Sequence, residues 1–175
     1  MMPHAFVSIG SNIAPAENVR AAIRHLGQRN RLLAISTVYR TAALERPEQP
    51  PYYNCVVKLE TGTEPLEMKH QLRQIEEALG RRRTADKYAA RTIDLDLIAY
   101  DDLTLDTVEL KLPDPDILER PFLAVPLWEL TPELYLPGLG LPIREIAARL
   151  PKDGMEPLQD YTEQIRKESI RGHES

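Results

Sequence analysis

Asp94 and Asp96 stand two residues apart in the run "RTIDLDLIAY" (91–100). Aspartate is a poor strand former, yet the apolar residues around the pair, Ile93, Leu95 and Leu97, alternate as a strand's do. Side chains two apart on a strand share a face, with Cα atoms about 6.7 Å apart. Two carboxylates so placed repel each other unless a cation stands beside them. Immediately upstream, "RRRTADKYAAR" (81–91) gathers Arg81, Arg82, Arg83, Lys87 and Arg91 against one aspartate. Carboxylates that hold a hard divalent cation, with guanidinium groups that hold phosphate, are what phosphoryl-type transfer requires. The plainer reading is a solvated sheet face next to a basic surface loop, and residue pattern alone leaves both open. No "GxxxxGK[ST]" stretch occurs, so a nucleotide would be held by this arrangement rather than by a P-loop.

The elements that must position these groups read as follows. "AFVSIG" (5–10) is a short buried strand. "PAENVRAAIRHLG" (15–27) is a helix, with Pro15 in its first turn, Val19, Ala22, Ile23 and Leu26 on one face, and Gly27 as its stop. "RLLAISTVYRT" (31–41) is a β-branched strand, followed by a proline-rich loop and a strand over 53–61. "TEPLEMKHQLRQIEEALG" (63–80) is the clearest helix: Thr63 is its expected cap, and Met68, Leu72, Ile75 and Leu79 form its apolar stripe. After the basic segment come the strand 92–100, a hairpin-like excursion over 101–116, and short helical segments at 120–130 and 142–150. The tail from Lys152 is polar and is expected to fray. The order β-α-β-β-α-β predicts an α+β, ferredoxin-like core: an antiparallel sheet with helices packed on it, plus C-terminal helical additions. A single domain over 1–175 is expected, its core about 5–135 and its extension 136–175.

Bulk properties narrow the classes. The 175 residues are 42% hydrophobic and 28% charged, ordinary for a globular protein with a real core. No apolar run approaches the roughly 18 residues that span a bilayer, and the N-terminus lacks a basic, cleavable leader, so a cytoplasmic protein without membrane attachment is expected. The net charge of −5 argues against general nucleic-acid binding. Cys55 lies in a β-branched run and is expected to be a buried, inert thiol. His4, His25, His70 and His173 are too scattered for a zinc site. Trp128 is expected in the core.

The segment "LGRRRTADKYAARTIDLDLIAYDD" (79–102) resembles the signature of the 6-hydroxymethyl-7,8-dihydropterin pyrophosphokinases of folate biosynthesis. "SIGSNI" (8–13), "STVYRT" (36–41), "QPPYYNCVVKLET" (49–61), "LRQIEEALGR" (72–81) and "LPDPDILERPFLAVPLWEL" (112–130) resemble further landmarks in the same order. The resemblance spans residues 5 to about 135. It implies transfer of diphosphate from ATP to the pterin's hydroxymethyl group, with release of AMP and two Mg²⁺ ions held by Asp94 and Asp96. It implies phosphate contacts from Arg81 and Arg91, which would be catalytic, and an ATP side containing Glu76, Arg83, Tyr88, Asp114 and Arg120. The pterin would lie between the rings of Tyr52 and Phe122, its edge read by Asn54 and by backbone around Thr41 to Leu44. The basic segment would close over ATP and exclude water. The expected partners are ATP and pterin, acting on a monomer.

Three features depart from the family pattern, one of them Ala42, Ala43 and Glu45 in place of a usual Pro-Pro-Leu-Gly-type stretch beside the pterin. Tyr88-Ala89-Ala90 replaces Trp-Gly-Pro, and Asp114 stands where Pro-His-Pro carries its histidine. An ionised aspartate cannot donate to phosphate, so Asp114 points away, helps hold metal, or weakens ATP binding. The alternatives to the pyrophosphokinase reading are a divergent paralogue acting on another pterin and a non-catalytic nucleotide- or pterin-binding module. Retention of Asp94, Asp96, Arg81 and Arg91 together argues against the module, because mutually repelling carboxylates have no use there.

Overall fold

The computed structural model describes residues 2–43, 46–81 and 90–171. Its elements in chain order are β1 (His4–Ser11), α1 (Pro15–Arg29), β2 (Arg31–Ile35), β3 (Tyr39–Thr41), β4 (Tyr52–Glu60), α2 (Pro65–Ala78), β5 (Asp94–Tyr100), β6 (Leu105–Asp106) and β7 (Lys111–Leu112). A 3₁₀ turn (Pro115–Leu118), α3 (Pro121–Leu130), α4 (Ile143–Arg149), β8 (Glu156–Pro157) and α5 (Gln159–Arg171) follow. The main sheet runs β5-β1-β4-β3-β8, with β2 also pairing β4, and every pairing is antiparallel. The short β6–β7 ladder is the hairpin expected within 101–116. The α+β, ferredoxin-like core with C-terminal helices is therefore present.

Alternation along the central strands decides what each face of the sheet does. Ala5, Val7 and Ile9 of β1, Cys55, Val57 and Leu59 of β4, and Leu95 and Leu97 of β5 join one core with Val19, Ile23 and Leu26 of α1 and Met68, Leu72 and Ile75 of α2. The opposite face carries Phe6, Val56 and Ile98, which pack with Leu123, Ala124 and Leu127 of α3 and Ile143 and Ile146 of α4. The sheet is thus covered on both sides, not on one only. Further along this second face stand Ser8, Gly10, Asn54, Asp94 and Asp96, beside Phe122 and Leu123 at the start of α3, and there a cleft opens. The bland expectation of a fully solvated face fails because α3 and α4 cover part of it.

Several boundaries differ from expectation for identifiable reasons. Helix α1 passes Gly27 and ends at Arg29, where Asn30 donates its backbone N–H and its side-chain amide to the Leu26 carbonyl (3.0 and 3.3 Å). Thr63 does not cap α2: Glu64 occupies that position and Pro65 starts the helix. The expected strand 31–41 is broken at Ser36–Val38. The Ser36 hydroxyl accepts from Val56 N (2.9 Å), and Val38 N donates to Thr162 Oγ1 of α5 (2.9 Å) instead of to a neighbouring strand. Trp128 lies at the surface, 36% exposed, although its helix neighbours Leu123, Ala124 and Leu127 are buried. Cys55 is buried as expected, and desolvation pushes its thiol up to about 12.

The tail is helical and docked. Leu158 N donates to Val38 O, Tyr161 OH to Ala16 O, and Arg166 Nε to Ile35 O (2.9, 2.6 and 2.9 Å), while Ile165 is 1% exposed within the first core. If this helix shares one cooperative core with the sheet, Ile165→Ala lowers the unfolding free energy by about 3 kcal/mol in a single transition. Urea denaturation followed by tryptophan fluorescence and by circular dichroism checks this: a wild-type midpoint, or a separate early transition, contradicts it.

Candidate functional site

Two cavities meet at the carboxylates. The first, about 370 Å³, is lined by Gly10, Thr41, Ala42, Ala43, Tyr52, Asn54, Arg91, Arg120 and Phe122. The second, about 350 Å³, is lined by Lys69, Arg73, Glu76, Lys111 and Pro115. Asp94, Asp96, Asp114 and Asp116 border both. The first lobe has two half-buried aromatic rings and a polar edge, which suits a flat heterocycle. The second is polar, with cations from α2 and β7, which suits an anion.

Asp94 is the hub of an ionic chain. Its Oδ1 accepts from Arg81 Nη1 (2.9 Å) and its Oδ2 from Arg91 Nη1 (2.8 Å). Arg81 Nη1 also donates to Glu76 Oε2 (2.5 Å), the same oxygen that accepts from Leu95 N (2.9 Å). Glu76 is 2% exposed, so although it borders the second lobe its carboxylate is committed inward, to the arginine and to the start of β5. The negative charge of Asp94 and Glu76 holds the Arg81 guanidinium above its ordinary value against the opposing cost of burial.

Asp96 has a different environment. The cleft walls strip water from its carboxyl, and Asp94, Glu76 and Asp114 add like charge, against a smaller opposing effect of Arg81; together they push it up to about 7. The side chain still meets solvent through the mouths of the lobes, so part of this effect is screened. Asp114 faces both lobes rather than pointing away. One of its oxygens accepts from Asp116 N (2.9 Å) and caps the 3₁₀ turn, and its own backbone N–H donates to Ile98 O (2.9 Å), which fixes it beside β5. Burial raises its carboxyl as well.

On the first-lobe side, Asn54 Nδ2 donates to Thr41 Oγ1 (2.6 Å). Phe122 is placed by α3, which is tied to β3 and the residues before it by Glu129; that carboxylate accepts from Tyr39 OH and from Thr37 N (3.1 Å). Arg120, immediately before the helix, lines the first lobe and makes no ion pair with a described residue. Of the residues singled out in the sequence, Arg81, Arg91, Asp94, Asp96, Glu76, Asp114, Arg120, Thr41, Tyr52, Asn54 and Phe122 come together around the two lobes. Leu44, Arg83 and Tyr88, and with them the expected closure of the basic segment, lie outside the described residues.

Sequence reasoning missed two groups. Lys69 and Arg73 stand four apart on α2, with Glu76 three further on, and this face points at the second lobe; the helical period carried that signal. Asn12, 2% exposed, holds Arg91 by its backbone: Arg91 N donates to Asn12 Oδ1 (2.8 Å), and Asn12 N donates to Arg91 O (3.1 Å). The Asn12 amide also donates to Gln49 Oε1 and Pro50 O (3.1 and 3.3 Å), tying the loop before β4 to the same point. A polar residue two positions after Gly10, at the end of a buried strand, was the only sequence hint.

A family model described as "7,8-dihydro-6-hydroxymethylpterin-pyrophosphokinase (HPPK)" matches residues 6–132. A 2-amino-4-hydroxy-6-hydroxymethyldihydropteridine pyrophosphokinase of Haemophilus influenzae is 35% identical over 137 residues, covering 77% of this chain and 85% of that protein. One from Pseudomonas aeruginosa is 35% identical over 161 residues, covering 90% and 98%. Among solved structures, wild-type Plasmodium falciparum HPPK-DHPS with pteroate superposes with a TM-score of 0.69 at 13% identity over 98% of this chain. That likeness concerns the fold alone, and this chain spans 45% of that longer one.

Two predictions follow from the electrostatics and the hydrogen bonds. Because the Asp96 carboxyl is raised above its unfolded value, the folded state binds the extra proton between about pH 4 and pH 7, and its stability falls as pH rises through that window. Asp96→Asn therefore melts above the wild type at pH 8 in chelator, and the gap closes toward pH 4; scanning calorimetry across that range is the check, and a gap independent of pH would contradict it. Asn12→Ala removes the side-chain acceptor of Arg91 N and is expected to lower the unfolding free energy by about 2 kcal/mol, measured by urea titration.

Proposed function

The chain belongs to the 7,8-dihydro-6-hydroxymethylpterin-pyrophosphokinase family, and we propose that it transfers diphosphate from ATP to the hydroxymethyl group of 6-hydroxymethyl-7,8-dihydropterin in folate biosynthesis, releasing AMP. The observation that carries this reading is the meeting of two lobes at one wall of carboxylates flanked by arginines. The heterocycle-shaped lobe takes the pterin and the polar lobe takes ATP, so the acceptor oxygen and the β-phosphorus face each other across Asp94 and Asp96.

The pterin hydroxyl oxygen attacks the β-phosphorus, and the bond from that phosphorus to the α–β bridging oxygen breaks. AMP leaves with that oxygen, and the proton of the hydroxyl is released to water. Tyr52 and Phe122 hold the ring, and Asn54 with Thr41 reads its edge. Arg81 and Arg91 stabilise charge on the phosphates, and Arg120, uncommitted to any described carboxylate, adds a further cation. Roles for Arg83, Tyr88 and Leu44 rest on the resemblance alone. Glu76 serves the ATP side through Arg81 and the β5 backbone.

The acidic residues fit Mg²⁺. Two carboxylates share one strand face, and the described hydrogen bonds and ion pairs leave Asp96 open while engaging both oxygens of Asp94 with arginines. No group of three or more His, Cys, Asp or Glu suited to a metal occurs among the described residues, so substrate oxygens and water would complete the shell, as magnesium prefers. Asp94 and Asp96 would hold two such ions, which supply charge neutralisation on the phosphates. We also take the chain to act as a monomer and as one domain, its core about 5–135, in the cytoplasm. No described helix is long and apolar enough to cross a membrane.

The test is to incubate the protein with Mg-ATP, with and without 6-hydroxymethyl-7,8-dihydropterin, and resolve AMP from ADP. AMP that depends on the pterin supports the reading; ADP would mean ordinary kinase chemistry. Asp94→Ala and Asp96→Ala are each expected to reduce AMP release by on the order of 10³ with the circular dichroism spectrum unchanged. Near wild-type turnover in either would remove the metal assignment.

A further inference from the structure

In the first lobe, Gly10 has a job that its backbone does not explain. The residue is buried in the middle of the sheet and avoids the left-handed region, so its conformation is one any residue adopts. Space is the constraint. A Cβ at position 10 would stand 2.8 Å from Asn54 Oδ1, closer than such atoms come, while the next neighbour, Tyr52 Cδ1, is at an ordinary 3.7 Å. The conflict is with the Asn54 amide oxygen alone.

Pairing explains the proximity. Gly10 is the cross-strand partner of Asn54 on one side and of Asp94 on the other, so the three form one row across the sheet, on the face that bears the cleft. Adjacent strands lie about 4.8 Å apart, which puts the Asn54 and Asp94 backbones about 10 Å from each other with only the glycine between. The amide cannot swing aside without loss, because its Nδ2 donates to the hydroxyl of buried Thr41 at 2.6 Å. Thr41 therefore fixes one end of the amide and the bare Gly10 surface accommodates the other. Held in this way, the amide presents an acceptor oxygen and a second N–H to the lobe, the complement of a ring edge that alternates donor and acceptor.

We propose that Gly10 is a specificity-determining positioning residue: its missing side chain is the space in which the Asn54 amide lies, and this sets the donor–acceptor edge that the first lobe reads. The assignment rests on the pyrophosphokinase reading. The ligand class it implies is a flat heterocycle carrying a cyclic amide next to an amidine-type nitrogen, and its reacting arm runs over Gly10 toward Asp94.

The experiment is a double-mutant cycle on pyrophosphokinase activity, with Gly10→Ala, Asn54→Ala and the pair. At saturating Mg-ATP, kcat/KM for 6-hydroxymethyl-7,8-dihydropterin is read from AMP release; it remains measurable when the pterin no longer saturates. Gly10→Ala is expected to lower it by about tenfold or more, with KM for ATP within about twofold of the wild type. In the Asn54→Ala background, where the oxygen is gone, adding Gly10→Ala changes kcat/KM by less than about twofold, and the doubly substituted protein melts no lower than Asn54→Ala, since alanine suits a strand interior better than glycine. Wild-type kcat/KM in Gly10→Ala, or the same fold loss in both backgrounds, overturns the assignment while leaving the functional reading intact. A wild-type protein that forms no AMP with this pterin overturns that reading, and the assignment with it.

Discussion

The fixed point of the cleft is the Asp94 carboxylate, shared between two arginines from opposite sides. One of these, Arg81, is nearly buried and is held again by the still more buried Glu76, whose carboxylate also fastens the start of β5. Removing such charges from water is costly, and a buried network of this kind does little for stability compared with apolar packing of the same volume. What it does provide is placement. The end of α2, the beginning of β5 and the segment just before it are brought to one locus, and the two lobes are organised around that locus.

Placement also explains why the free geometry and the proposed chemistry agree. Asp94 supplies each of Arg81 and Arg91 with an anionic oxygen within hydrogen-bond reach of its guanidinium, which is what a phosphate oxygen would also supply. The two arginines are thus kept ordered beside the cleft by the Asp94 carboxylate. Asp96, by contrast, has its proton affinity raised first by loss of water at the cleft walls and then by its negative neighbours. The two acids stand two residues apart and are chemically unlike, because arginines donate hydrogen bonds to Asp94 while no described donor pairs with the Asp96 carboxyl.

Much of this was legible in the sequence. The alternation in "DLDL" correctly placed Asp94 and Asp96 on one face and Leu95 and Leu97 on the other, because the strand period is independent of tertiary context. The stripe on α2 was legible for the same reason. What could not be read was set by long-range partners. The split between β2 and β3 depends on Thr162, more than a hundred residues away. The docking of α5 depends on a few residues, Tyr161, Thr162 and Ile165, in an otherwise polar stretch whose composition suggested fraying. Asn12 was invisible as a support for Arg91 because nothing in a linear pattern shows which backbone a side-chain amide will hold. Lys69 and Arg73 escaped notice for a related reason, since only the fold shows which lobe their helix face borders.

The strands β1, β4 and β5 share a parity. Odd-numbered positions, such as Val7, Cys55, Val57 and Leu95, enter the core under α1 and α2, whereas Ser8, Gly10, Asn54, Asp94 and Asp96 all face the cleft. Inserting or deleting one residue within any of these strands would exchange the two sets at a stroke, driving carboxylate or amide into hydrocarbon and turning leucine or valine into the cleft. Length within these three segments is accordingly frozen.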